Sequence, residues 1–128
     1  MSESKAQNNP AIRITLLPRD TNPYGTIFGG IILSLIDQAA AVATRRVTTH
    51  NVVTVSMHEV IFRKPVYVGD LVSFYADITK VGTTSIHTKV YVEAERRRNP
   101  SDVVHVTDAE VVFVAVDDDG NPVPVGGK

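Results

Sequence analysis

One stretch of this chain can form a long helix, and that stretch is apolar on nearly every side. Residues 31–46 read Ile-Ile-Leu-Ser-Leu-Ile-Asp-Gln-Ala-Ala-Ala-Val-Ala-Thr-Arg-Arg. A helix with apolar residues all round has no face to offer water and must be buried. Arg45 and Arg46 close it at the end where positive charge suits the helix dipole. Asp37 stands in its middle. An ionised carboxylate on a buried helix is costly without partners, and catalysis is the leading reason to keep one there. The competing reading is a satisfied buried carboxylate that bonds to neighbouring backbone.

The rest of the chain reads as strand. Residues 12–17 alternate, with Ile12, Ile14 and Leu16 on one side. Residues 52–63 are rich in β-branched side chains and stop before Pro65. Residues 71–81 place Val72, Phe74, Ala76 and Ile78 on one face. Residues 85–96 do the same with Ile86, Thr88, Val90, Val92 and Ala94, and 103–116 form a long last strand. The order is strand, helix, then four strands. An antiparallel sheet with one apolar face needs that face covered, and only one helix is available. The expected architecture is therefore α+β, with about five antiparallel strands wrapped round a single central helix. The helix side away from the sheet needs its own cover, and a second subunit is the simplest one. One domain is expected over residues 11–124, with a flexible tail at 1–10 and an irregular end at 125–128.

Several function classes drop out early. Thirteen Lys and Arg against fourteen Asp and Glu give a net charge of −1, which argues against a nucleic-acid or membrane-surface binder. There is no cysteine, hence no disulfide, thiolate metal site or thiol nucleophile. The polar first ten residues lack the apolar core of a signal peptide, and the apolar run at 31–43 is shorter than the ~20 residues that span a bilayer. A cytoplasmic location is the expectation. His50, His58, His87 and His105 have no metal-ligand spacing among them, and no Gly-x-Ser-x-Gly elbow is present. No metal and no cofactor are expected.

A loop, Asp20-Thr-Asn-Pro-Tyr-Gly-Thr-Ile-Phe-Gly-Gly30, feeds the helix. Backbone N–H groups at a helix start have no intrahelical acceptor, and the dipole is positive there. Gly29 and Gly30 lack side chains, so a carbonyl oxygen can approach those N–H groups as in an oxyanion hole. The competing reading is that the glycines serve a tight turn or close packing. Asn22 offers a further amide donor, although Asn-Pro is an ordinary turn starter. Thr54 can hold a water beside Asp37, although threonine is also a plain strand residue. Asp37 lies eight residues past Gly29, ~12 Å along a helix axis. Reacting groups must come within ~3.5 Å, so the two cannot serve one site within one chain. Two helices antiparallel across a two-fold axis can bring Gly29 of one chain to Asp37 of the other.

These residues carry a resemblance. Pro18-x-Asp-Thr-Asn-x-x-Gly-x-x-Phe-Gly-Gly30 followed by Asp37 is similar to the hotdog-fold acyl-CoA thioesterases, in particular the YciA-like branch. Val52-Val-Thr-Val55, Phe62-Arg-Lys-Pro65, Val68-Gly-Asp70, Gly82-Thr-Thr-Ser85 and Val114-Ala-Val-Asp117 continue it, from about residue 12 to 124. The resemblance implies a hotdog fold, dimers that often assemble as hexamers, and hydrolysis of acyl-CoA. It implies Asp37 as general base or nucleophile, the Gly29 amide with Asn22 as carbonyl donors, and Thr54 as the hydroxyl that positions water. For the substrate it implies Phe28, Gly30, Arg63, Lys64, Thr84 and Ser85. Many hotdog thioesterases carry histidine where this chain has Phe28. Arg63 and Lys64 are the favoured phosphate-binding cations, and the run Arg96–Arg98 reads as a solvated turn. Two alternatives stand beside the hydrolase: a hotdog module that binds acyl-CoA as a sensor without cleaving it, and a dehydratase or hydratase. The retained Asp37 speaks against the first. The absence of a histidine in the loop speaks against the second.

Overall fold

A computed structural model describes residues 9–126. Eight residues of the expected tail at 1–10, and the last two of the expected irregular end, fall outside the described residues. The elements are β1 (Ile12–Thr15), a 3-10 turn (Pro18–Asp20), α1 (Gly29–Thr44), β2 (Asn51–His58), β3 (Leu71–Val81), β4 (Ser85–Glu95) and β5 (Val103–Val116). The strands form one antiparallel sheet in the order β1-β3-β4-β5-β2. The α+β arrangement of five strands and one helix is thus the one the sequence implied.

Alternation explains the core. Val72, Phe74 and Ala76 of β3, Ile86, Val90, Val92 and Ala94 of β4, and Val111 and Phe113 of β5 are buried on the sheet's inner face. Ile32, Ile36, Ala39, Ala40 and Ala43 of α1 pack against them. The three alanines let the helix lie close to the strands. At removal of ~25 cal/mol per Å² of apolar surface, this interior is the main stabilising term. The opposite helix face is left uncovered within one chain: Ser34, Gln38 and Val42 are exposed.

Four boundaries differ from the sequence expectation by two residues or more. The helix starts at Gly29, two residues earlier than the apolar run. It ends at Thr44, whose hydroxyl donates to the carbonyl of Ala41 (2.7 Å) and whose own carbonyl accepts from Val47 and Thr48. The first strand ends at Thr15 rather than residue 17, because the 3-10 turn at Pro18–Asp20 takes over the chain. The second strand ends at His58 rather than residue 63. Glu59 has φ of 59°, a left-handed conformation that breaks a ladder. Residues beyond it leave β2 and are tied instead to β5, through Thr107 Oγ1 to the carbonyl of Ile61 (2.7 Å) and the Arg63 amide to the carbonyl of Val106 (2.8 Å).

The edge of the sheet and the end of the chain are each out of the ordinary. β2 is an edge strand with Val53 46% and Val55 55% exposed. Val55 is also the extra residue of an irregularity in the pairing with β5. Val125, in the expected irregular end, is buried in the core and bonds through its amide to the carbonyl of Thr83 (2.8 Å).

Candidate active site

The loop before α1 is held by its own backbone and by Asn22. The Phe28 amide donates to the carbonyl of Asp20, and the Ile27 amide to the carbonyl of Val66, both at 2.8 Å. Asn22 Oδ1 accepts from the amides of Tyr24 (2.9 Å) and Thr26 (3.2 Å), while its Nδ2 donates to Thr26 Oγ1 (2.7 Å). The side chain is thus engaged with its own turn, as an Asx-type brace.

Gly29 and Gly30 differ in what their missing side chains allow. A Cβ on Gly30 would meet the Phe28 ring at 2.7 Å, so packing accounts for that glycine. A Cβ on Gly29 would meet nothing nearer than the Phe62 ring at 3.8 Å, an ordinary contact, and its φ is not positive. Neither turn geometry nor intrachain packing requires glycine there. What the position does provide is an open approach to the amides of Gly29 and Gly30, for which no backbone acceptor is found among the described residues, whereas the Ile31 amide already donates to the carbonyl of Phe28 (3.0 Å). Gly29 lines a cleft of about 330 Å³ whose walls also include Ile32, Phe62, Arg63, Lys64 and Val106.

Asp37 lies two turns further along the same unbroken helix, half-buried. Its Oδ1 accepts a 2.7 Å hydrogen bond from the hydroxyl of Thr54 on β2. Thr54 stands next to the pairing irregularity at Val55, a device that often re-aims side chains beside a working site. The hydroxyl proton is directed at the carboxylate, so Thr54 orients Asp37, with lone pairs still able to accept from a water. Thr54 pairs with Phe113, and Phe113 with Ile86. Thr84 and Ser85 therefore sit about two strand spacings, ~10 Å, from Thr54 at the same end of the sheet.

One chain thus carries two separated groups. Gly29, Gly30, Phe28, Arg63 and Lys64 lie at the start of α1. Asp37, Thr54, Thr84 and Ser85 lie by its middle and far side, ~12 Å of helix axis away from Gly29.

Residues 24–101 match the thioesterase superfamily. The chain belongs to that superfamily. A relative of Zymomonas mobilis named as an uncharacterised acyl-CoA thioester hydrolase is 40% identical over 117 residues, covering 91% of this chain and 77% of the relative. The YciA acyl-CoA thioester hydrolase of Escherichia coli is 36% identical over 118 residues, 91% of this chain and 89% of its own length. Among solved structures, a hexameric hotdog-fold thioesterase of Campylobacter jejuni superposes with a TM-score of 0.85 at 44% identity, covering 90% and 88% of the two chains. The resemblance to the YciA-like branch and to the hotdog fold is thereby established.

Some parts of this thioesterase were not legible beforehand. Of the aromatic side chains near the loop, Phe62 lines the cleft, while Tyr24 stands in solvent. Ile27, Ile32 and Val106 join it from three different elements. Arg96, read as part of a solvated turn, instead donates through Nη1 to buried Asp70 Oδ2 (2.6 Å) and to the carbonyl of Pro65 (3.0 Å). Asp70 Oδ2 also accepts from the Tyr67 amide (2.9 Å). The pair pins the segment that walls the cleft, and its partners lie 26 residues apart. The only sequence signal was the Gly69-Asp70 turn. His58 lies across from Glu110 on β5, with Nε2 3.3 Å from Oε1, and Glu59 is 3.9 Å away. No spacing in the sequence announced that grouping, which is exposed. No helix among the described residues is long and apolar enough to cross a membrane.

Proposed function

We propose that this chain hydrolyses acyl-CoA thioesters at a site completed by two protomers. The observation that carries the reading is the arrangement of α1: an amide end stripped of side chains at one point, and an oriented carboxylate two turns on. Relatives named as acyl-CoA thioester hydrolases, at 36–40% identity over most of the chain, supply the substrate class.

The thioester carbonyl oxygen takes hydrogen bonds from the Gly29 amide of one protomer, with the helix dipole behind it. Asn22 braces the loop that aims this amide, and its remaining Nδ2 proton is available to the same oxygen. The partner's Asp37 acts in one of two ways. As a general base it takes a proton from water while the oxygen attacks the carbonyl carbon. As a nucleophile it adds to that carbon itself and forms an anhydride that water then cleaves. In both, the carbon–sulfur bond breaks, the sulfur leaves with its electron pair and is protonated, and a carboxylic acid and free CoA result. Thr54 keeps one carboxylate oxygen occupied, which leaves the other to work. Phe62 and Ile32 give the acyl and pantetheine portions an apolar wall, and Arg63 and Lys64 place positive charge along it.

Assembly follows from the surfaces that one chain leaves open. The β2 edge with Val53 and Val55, and the helix face with Gln38 and Val42, are apolar enough to demand a partner. A second copy pairing edge to edge covers both and sets two α1 helices antiparallel. A dimer at least is proposed, and a hexamer by analogy with the Campylobacter jejuni relative.

The direct test is release of thiol from a panel of acyl-CoAs by wild type and by Asp37→Ala. Wild-type release with a loss of about 10²-fold or more in the variant is expected. Equal release by both proteins removes Asp37 from the chemistry. Binding by both without release by either makes the protein a sensor.

A further inference from the structure

The open face of α1 carries Ser34, Gln38 and Val42. Ser34 donates its hydroxyl to the carbonyl of Ile31 (2.9 Å), and Val42 has nothing to bond. The primary amide of Gln38 bonds to nothing among the described residues. A partner that covers this face takes that amide out of water, and a buried amide needs hydrogen bonds. The start of the same helix is short of acceptors. Its N-cap residue is Phe28, whose ring offers no oxygen, and no side chain caps the helix. The Ile31 amide is already bonded to the carbonyl of Phe28, so the amides of Gly29 and Gly30 are left. A thioester carbonyl takes the first. The second, on half-buried Gly30, still lacks an acceptor.

Two-fold symmetry says which residues meet. The contact is self-complementary, and each step forward on one helix is a step back on the other. With Gly29 level with the partner's Asp37, one step past Asp37 brings Gln38 level with the partner's Phe28. That is the uncapped N-cap position. Gly30 lies two residues further on, ~3 Å along the axis. Packed helices have axes about 8–10 Å apart and Cα atoms about 2.3 Å off each axis, so about 3–5 Å separates facing backbones. A glutamine side chain crosses such a gap. Its Oε1 suits a helix start, where partial positive charge gathers.

We infer that Gln38 of each protomer caps the partner's α1, with Oε1 accepting from the Gly30 amide. This deepens the shared-site reading and rests on it. Gln38 is then a positioning residue. It fixes the first turn of the helix, so that the neighbouring Gly29 amide keeps its aim at the thioester carbonyl. The carbonyl-binding end of the site is complete only in the assembled protein.

The test reads the hydrogen bond and the chemistry separately. Labelling with [1-¹³C,¹⁵N]glycine picks out the amides of Gly30 and Gly127, the glycines that follow a glycine, and Gly127→Ala tells them apart. Exchange of the Gly30 amide is then followed by NMR. Gln38→Met removes the acceptor at similar length, Gln38→Lys offers only donors, and Gln38→Glu keeps an acceptor. Exchange should quicken about tenfold with Met and with Lys and stay slow with Glu. In mixed dimers of labelled wild type and unlabelled Gln38→Met, the labelled Gly30 should lose protection although its own chain keeps Gln38. For butyryl-CoA, kcat should fall about tenfold in Gln38→Met with KM little changed, at the wild-type mass by light scattering. Equal protection in wild type, Met and Lys proteins overturns the inference, as does a loss that follows the labelled chain's own glutamine. If mixed Asp37→Ala and Gly29→Val chains regain activity while Gly30 is indifferent to Gln38, only the cap is wrong. If they regain none, the shared site itself falls.

Discussion

Mixing two inactive variants gives the sharpest test of a shared site. Gly29 and Asp37 lie on one straight helix eight residues apart, ~12 Å. No side-chain motion closes that gap to a reacting distance of ~3.5 Å. Gly29→Val places a branched side chain over the amide in a position where a Cβ itself fits at 3.8 Å from Phe62, so the fold survives while the carbonyl is excluded. Loss of an oxyanion donor costs about 10²–10³ in rate, and Asp37→Ala costs at least as much. Random reassociation of equal amounts makes half of the dimers mixed. In each mixed dimer one site combines the intact Gly29 of the first chain with the intact Asp37 of the second, and the other site has neither. One site in four is then whole, so about a quarter of wild-type activity returns. The assay is thiol release after co-refolding, with the mixed dimer confirmed by differently tagged chains. If tagged mixed dimers form and activity stays at the level of the parents, each chain works alone and the shared-site mechanism is wrong.

Other expectations come from single contacts. Thr54→Val removes the 2.7 Å hydrogen bond to Asp37 at nearly constant volume; kcat should fall about tenfold with KM little changed, and Thr54→Ser should restore most of it. Arg96→Met leaves buried Asp70 with only the Tyr67 amide. The cost should be about 3 kcal/mol, or about 10 °C in Tm by calorimetry for a chain of this length. Adding Asp70→Asn should recover part of that loss, because the orphaned charge is gone, and no recovery would refute the ion-pair explanation. Val53→Lys with Val55→Lys puts charge on the open β2 edge; light scattering should show the mass falling to one chain, together with loss of thiol release.

The architecture was legible in the residues alone, because their two periodicities leave little choice. A single all-apolar helix among strands with one apolar face can be buried only by wrapping the sheet round it, and Ile36, Ala40, Val90 and Phe113 meet accordingly. Equally legible was that Gly29 and Asp37 could not cooperate within one chain, since helical rise is fixed. The resemblance carried by Asp20–Gly30 and the later motifs supplied the family.

Other features depend on how the chain is folded. Whether Thr54 faces Asp37 depends on strand register, and a shift of one residue would turn it away; its pairing with the buried Phe113 sets it. The end of β2 was hidden because β-branched residues continue past Glu59, whose left-handed φ comes from the path of the chain toward β5. The partnership of Arg96 with Asp70, and the freedom of Arg97 and Arg98, could not be read from a run of three arginines. Neighbours in sequence share composition, but only the fold determines which of their charges meets a buried acid and which stays exposed.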